Sequence, residues 1–195
     1  MEHNDQPHRR RGTVSDEEFS AFVRIAWPRL RRTAWLICGN RQQAEDAVQA
    51  GLVRLYVAWP RLRREEALEA YARKAVVSAL LDETRRGWRK REHPVGVLPD
   101  TLTVDDETPG RVGDRLAVAS ALARVPPRQR AVLVLRFYDD LDVAATARLL
   151  ECSEGTVKSQ TARGLEALRR ALHAEGWDDM RLRGLVSAAA AEGVA

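Results

Sequence analysis

The sequence predicts an all-α protein of two small helical domains joined by a flexible acidic linker, and three observations carry that expectation. Ala, Leu, Arg and Glu dominate the 195 residues while alternating runs of β-branched residues are absent, which favours helices over strands. Apolar residues recur three and four apart along most of the chain, the spacing that gathers one face of a helix. Charge is segmented: residues 1–92 hold 19 Lys or Arg against 13 Asp or Glu, residues 93–114 one against five, and residues 115–175 ten against seven. A hydrophobic content of 45% suffices for ordinary cores in domains of this size, with aromatics at only 6%. The net charge of +4 is small. Two basic segments around an acidic connector nevertheless suit nucleic-acid binding by both, because phosphates are met by local clusters and not by net charge.

Other function classes are disfavoured. Cys38 and Cys152 fall in different domains with no CxxC or Cys/His spacing, and His3, His8, His93 and His173 are scattered, so no disulfide framework, metal centre or cofactor is expected. There is no phosphate-cradling glycine loop and no nucleophile paired with a base, which argues against an enzyme. No apolar run reaches the ~20 residues that span a bilayer, and Arg9 to Arg11 precede no apolar signal core. A cytoplasmic protein without membrane insertion is expected.

In chain order, residues 1–14 lack apolar periodicity and are expected to be a disordered tail. The first domain, 15–92, opens with Ser15-Asp16-Glu17-Glu18, a capping box in which Ser15 starts a helix and Glu18 reaches back. Phe19, Phe22, Val23 and Ala26 form its buried stripe. Pro28 is expected to kink or interrupt it after Trp27, and Leu30, Ala34, Ile37 and Cys38 continue the apolar face until Gly39 ends it. Asn40 caps a second helix over 41–59, whose apolar band is Ala44, Ala47, Val48, Leu52, Leu55, Tyr56 and Trp59. Its other side carries Glu45, Asp46 and Gln49. Gly51 within it costs about 1 kcal/mol relative to Ala unless close packing needs a small residue. After Pro60 and a charged loop, a third helix buries Leu68, Tyr71, Ala72, Ala75, Val76, Ala79 and Leu80. It ends in Arg85, Arg86, Trp88, Arg89, Lys90 and Arg91. Such a run suits either a solvated face or a nucleic-acid surface, where cations hold phosphates and an aromatic stacks on an unpaired base.

Residues 93–114 form the linker, with Pro94, Pro99 and Pro109 among glycines and acids. The second domain, 115–175, holds a helix over 116–122, the separators Pro126 and Pro127, and a helix over 128–138 with Ala131, Val132, Leu135 and Phe137 as core. From Leu141 to Leu172 the chain reads as a helix-turn-helix. Val143, Ala147 and Leu150 make the first stripe. After a break at Glu151, Cys152 and Ser153, the second stripe runs through Val157, Thr161, Leu165, Leu168 and Leu172. The opposite face carries Gly155, Thr156, Ser159 and Arg163, flanked by Lys158 and Gln160, and Ser153 sits where an N-cap belongs. On spacing alone this suits a recognition helix in the major groove or a plain bundle corner. Beyond Glu175, Gly176 breaks the helix, and 176–195 form an extension in which Leu182, Leu185 and Val186 suit a short amphipathic helix.

The wording of these stretches is more specific than their spacing. Pro127-Arg128-Gln129-Arg130, Tyr138-Asp139-Asp140-Leu141 and Ser153-Glu154-Gly155-Thr156-Val157-Lys158-Ser159 resemble region four of the ECF (extracytoplasmic function, group IV) RNA polymerase sigma factors. Ala44-Glu45-Asp46-Ala47-Val48-Gln49 after Gly39-Asn40-Arg41 resembles their region two. The resemblance spans about Phe19 to Leu172, with particular likeness to the actinobacterial SigE family.

It implies a promoter-specificity subunit without catalysis of its own, whose partners are core RNA polymerase (the β′ clamp helices and the β flap), promoter DNA and an anti-sigma factor. By the same resemblance, Glu45, Asp46, Val48, Gln49, Leu52 and Val53 dock on the core. Tyr71, Arg73, Lys74, Ser78, Arg85, Arg86, Trp88 and Arg89 engage the minus-ten element. Thr156, Lys158, Ser159 and Arg163 read the minus-thirty-five element, with Arg128 and Arg130 on phosphates. Two positions depart from the family pattern. Glu151 stands where a glycine is usual, at a cost of about 1 kcal/mol if the turn needs a positive φ, and Ser78 stands where asparagine is common. The rival reading is a helix-turn-helix regulator that acts without polymerase.

Overall fold

The structure, a computed structural model, describes residues 13–62, 65–90, 117–178 and 180, with side chains over 16–62, 67–82, 117–178 and 180. Of the expected tail over 1–14, residues 13 and 14 are helical, while residues 1–12, the linker over 93–114 and the part of the extension beyond 180 lie outside the described residues. All regular structure among the described residues is helical: α1 (Thr13–Cys38), α2 (Arg41–Ala58) with a 3-10 turn (Trp59–Arg61), and α3 (Glu65–Lys90) in the first domain. The second domain holds α4 (117–123), α5 (Pro127–Leu133) widening into a π turn (Val134–Tyr138), α6 (Val143–Leu150) and α7 (Glu154–Ala174).

Helix α1 departs from expectation twice. It begins at Thr13, so Ser15 lies inside the helix and does not cap it, and it runs through Pro28 without interruption. Proline there removes one backbone donor. Packing compensates, because Phe19 and Phe22 anchor the segment before it while Leu30, Ala34 and Ile37 anchor the segment after it in the same apolar cluster. The helix ends as expected at Gly39, whose φ of +72° suits a residue without Cβ and whose N–H donates to Trp35 O at 2.7 Å. Asn40 then caps α2, its side-chain oxygen accepting from the Gln43 N–H at 3.0 Å.

The first-domain core gathers Leu30, Ala34 and Ile37 of α1, Ala44, Val48, Leu52 and Leu55 of α2, and Ala72, Val76, Val77 and Leu80 of α3. Gly51 proves to be a close-packing residue. A Cβ there would sit 2.6 Å from Val76 Cγ2 and 3.0 Å from the Val76 backbone nitrogen, so α2 and α3 approach too closely for alanine. Tyr56 is half exposed rather than core. Its ring packs edge-on to Phe19, with centroids 5.0 Å apart, and its hydroxyl donates to Asp16 at 2.9 Å.

In the second domain α7 crosses α5 at Gly164, where an added Cβ would lie 3.0 Å from Leu133 Cγ. This crossing fixes the buried face of α7 on Val157, Gly164, Ala171 and Leu172. At about 100° per residue, Leu165 falls at the rim of that face, which explains why it is 44% exposed despite its place in the expected stripe. Phe137, expected in the core, is 57% exposed. The π turn accounts for this, because the Asp139 N–H reaches back to Val134 O and the extra residue per turn rotates Phe137 outward. Trp177 is buried against Ala121, Ala171 and Leu172, so this core extends past Gly176.

The two domains pack on one another. Ala131, Val134 and Leu135 join the apolar cluster built by α1, α2 and α3. Among the described residues no helix is long and apolar enough to cross a membrane.

Candidate nucleic-acid and polymerase interface

Helix α7 is set up by local chemistry. Glu151 closes α6 in the left-handed region at φ 53°, ψ 48°, as a glycine would, and its N–H donates to Ala147 O. Its carboxylate meets Lys74 at 3.2 Å, a contact with the first domain that offsets part of the left-handed strain. Ser153 is the N-cap, its Oγ accepting from the Thr156 N–H at 3.1 Å. Thr156, Lys158, Ser159 and Arg163 are all exposed, on the side of α7 away from Val157 and Gly164. The Ser159 hydroxyl donates to Thr156 O at 3.0 Å, so toward an outside partner its oxygen serves as an acceptor.

Of the two arginines expected on phosphates, Arg128 is exposed and Arg130 is not. Arg130 is 8% exposed. Its guanidinium lies against Gly39, with Nη1 3.1 Å from where a Cβ there would sit. The reason is the docking of α5 onto α1, which turns this side of the helix inward. Burial lowers its pKa, opposed by the nearby Cys38, and burial raises the Cys38 thiol, whose Sγ–H donates to Asn40 O at 3.1 Å. Arg130 is therefore an interdomain residue in this structure, turned away from solvent, where Arg128 is turned toward it.

On α3, Tyr71 is partly exposed and Ser78 half-buried. Arg73 is mostly covered, with Nε 3.3 Å from Asp139 Oδ2 and Nη2 4.0 Å from Glu69, whereas Lys74 is exposed apart from its contact with Glu151. Helix α3 continues to Lys90, which puts Arg85, Arg86, Trp88 and Arg89 on its last turns; their side chains lie outside the described residues.

On α2, Val48 and Leu52 are core residues. They face α1 and α3 and cannot meet a partner, which corrects their place in the docking set. Asp46, Gln49 and Val53 are exposed, and Glu45 is tied to Arg41 at 3.0 Å and Arg31 at 3.7 Å. Val53 and Val57, one turn apart, are 64% and 73% exposed and continue the Gln49 row. Sequence reading missed Val57; the signal was an apolar residue four after Val53, on the side away from the core.

It missed Asp139 as well. This carboxylate is 4% exposed, accepts from Thr33 Oγ1 at 3.0 Å, and has Arg73 at 3.3 Å and Arg29 at 3.7 Å. Burial raises its pKa, while Arg73, Thr33 and Arg29 hold it down in part. Its partners lie on α1 and α3, far away in sequence, so no local pattern could reveal it.

Residues 22–90 match the family described as Sigma-70 region 2, and residues 115–168 match Sigma-70, region 4. The ECF RNA polymerase sigma factor SigM of Mycobacterium tuberculosis (strain ATCC 25618 / H37Rv) is 35% identical over 154 residues, which cover 79% of this chain and 76% of that protein. The RNA polymerase sigma-E factor of Streptomyces avermitilis is 34% identical over 164 residues, covering 83% of this chain and 88% of that protein. Among solved structures, the sigma factor RpoE from Bartonella quintana, in complex with the anti-sigma factor NepR, superposes with a TM-score of 0.63 at 21% identity. The match covers 80% of this chain and 98% of that chain. At that identity the likeness is one of fold.

Two helical domains bearing the region 2 and region 4 sequences, the second built around a capped helix-turn-helix, define a promoter-recognition subunit of RNA polymerase. The chain belongs to the ECF RNA polymerase sigma factors.

Proposed function

We propose that this sigma factor reads the minus-thirty-five element with the outer face of α7 and the minus-ten element with α3, while the outer face of α2 docks on core polymerase. The division follows a region-two domain over 15–92, a linker over 93–114 and a region-four domain over 115–175. The observation that carries the reading is the sidedness of α7. Val157 and Gly164 pin one face to α5 and α6, and Thr156, Lys158, Ser159 and Arg163 stand on the other beside a capped helix N-terminus. Arg163 and Lys158 suit guanine O6 and N7, Thr156 and Ser159 supply short hydrogen-bonding groups, and Arg128 holds a phosphate.

Tyr71, Arg73, Lys74, Ser78 and the arginines at the end of α3 supply the minus-ten surface, with stacking from Trp88. Asp46, Gln49, Val53 and Val57 present a mixed polar and apolar row to the β′ clamp helices, and the second domain meets the β flap. The protein works in the cytoplasm without catalysis of its own, and an anti-sigma factor such as the one solved with RpoE is the class of partner that would restrain it.

Run-off transcription with core polymerase on genomic promoter fragments tests the reading. Initiation that depends on the chain is expected, and its absence on every fragment would sink the assignment. Arg163→Ala should cost about 1–3 kcal/mol at the minus-thirty-five element, roughly fivefold to a hundredfold in promoter affinity, with core binding intact. Tight, specific duplex binding by the chain alone would instead favour a regulator that needs no polymerase, a reading that the region-two match gives no support.

A further inference from the structure

Four glycines answer to needs inside the protein. Gly39 and Gly176 adopt a positive φ, and Gly51 and Gly164 lie where a Cβ would strike Val76 or Leu133. Gly155, the second residue of α7, does neither. It is helical, without a positive φ, and exposed. A Cβ on it would meet only Ser153 Oγ, at 3.8 Å, an ordinary van der Waals contact. Glycine is the poorest helix former after proline, so on every internal ground alanine would suit this position better.

The absent side chain stands at the head of a row. Gly155, Ser159 and Arg163 follow one another at intervals of four on the outer face of α7, and reach from the backbone grows along them: nothing, one hydroxymethyl group, then a guanidinium on three methylenes. The short groups are held back further. The Thr156 hydroxyl lies 2.9 Å from Ser153 Oγ, and the Ser159 hydroxyl donates to Thr156 O at 3.0 Å. Neither can stretch toward a distant base, so the helix itself must come to the bases. This taper fits a helix that enters the major groove N-terminus first and tilts away toward its C-terminal end.

We propose that Gly155 is where α7 and the minus-thirty-five duplex approach most closely, its bare backbone letting the helix sit deep enough for Thr156 and Ser159 to reach base edges. This inference rests on the assignment of the outer face of α7 to that element made above. Gly155 is a positioning residue that acts through the two hydroxyls. A methyl group there would stand out by about 1.5 Å, one carbon–carbon bond, at the deepest point of the helix. A lift of that size carries a short hydroxyl out of hydrogen-bonding range, whereas the long Arg163 side chain can follow and keep its contact.

The test compares the full chain with Gly155→Ala, Ser159→Ala, Arg163→Ala and the pairs Gly155→Ala/Ser159→Ala and Gly155→Ala/Arg163→Ala. Melting of the free chain is followed by circular dichroism. Promoter affinity is measured with core polymerase on a fluorescent duplex of a fragment that supports initiation in the run-off assay. Gly155→Ala should raise the melting temperature by about 1–4 °C and weaken promoter binding by about fivefold or more. Ser159→Ala should cost nothing further once residue 155 carries a methyl group, whereas Arg163→Ala should weaken binding by the same factor in both backgrounds.

A lower melting temperature in Gly155→Ala would show that the glycine serves the fold, and the proposal would fall. Unchanged promoter affinity in Gly155→Ala beside a loss in Arg163→Ala would overturn the close approach and leave the assignment of α7 standing. A further full loss from Ser159→Ala in the Gly155→Ala background would overturn the positioning role. Arg163→Ala without effect would instead overturn the assignment of α7 to the element, and the inference with it.

Discussion

At the scale of single residues, Gly51 and Glu151 show opposite solutions to the absence or presence of a Cβ. Gly51→Ala should lower stability by about 1–3 kcal/mol although alanine is the better helix former, because the overpacking falls partly on the Val76 backbone. Chemical denaturation followed by circular dichroism would measure it, and a gain in stability would mean that α2 and α3 can part at little cost. Glu151→Gly should relieve about 1 kcal/mol of left-handed strain while giving up the exposed Lys74 pair. The net gain should therefore grow as salt screens that pair in the parent chain, and a gain independent of salt would show that Lys74 contributes nothing.

Local chemistry of this kind was legible in the sequence. The Ser153 and Asn40 caps and the strained Glu151 turn depend on residues three or four apart. Arg130 and Asp139 escape such reading because their environments are set by helices distant in the chain, whereas Val48 and Leu52 already stand in the apolar band and enter the docking set only through the resemblance. A periodic pattern tells that a helix has an inner face, but not how wide that face becomes when a second domain docks on it.

At the scale of elements, α1 and α2 carry the lessons. A helix that continues through Pro28 is held from both ends by its contacts, so Pro28→Ala should restore a backbone donor and raise the melting temperature without changing helix length. A lower melting temperature would show instead that the proline ring fills needed space. On α2, Gln49, Val53 and Val57 form an exposed row beside a core face made by Val48, Leu52 and Leu55. Val57→Glu should weaken binding to core polymerase, read by native gel shift or calorimetry, while leaving thermal stability within about 0.5 kcal/mol, as befits a surface site. Unaltered core binding would move the docking face elsewhere. Val57 in this row was legible only by its spacing, four after Val53 on the side away from the core, since its apolar character is that of the residues that do pack inside.

At the scale of the whole molecule, the interface between domains has a definite pH sense. Burial raises the pKa of Asp139 above its ordinary value despite Arg73, Thr33 and Arg29, so the packed state binds a proton more readily than the unfolded or separated chain. Its contribution to packing is therefore full below the ordinary carboxyl value and is lost as pH rises from that value through the raised one. Melting or scattering across this window should show the packed form favoured toward lower pH. In Asp139→Asn the part of the slope owed to this carboxyl should vanish, and an identical slope in both chains would place the titration elsewhere. The two-domain all-α architecture was readable from composition, periodicity and charge segments. The face along which the domains meet was not, because it joins α1 and α3 to the π turn and α6 through single side chains.

The buried Asp139 carboxylate also bears on alignment. With Thr33, Arg29 and Arg73 around it, it finds its partners at one register of the second domain on the first. Ala131, Val134 and Leu135 supply a non-directional apolar attraction that would tolerate a small slip. A slip would strand the carboxylate without its partners, so the charge sets where the domains meet while the apolar surface holds them together.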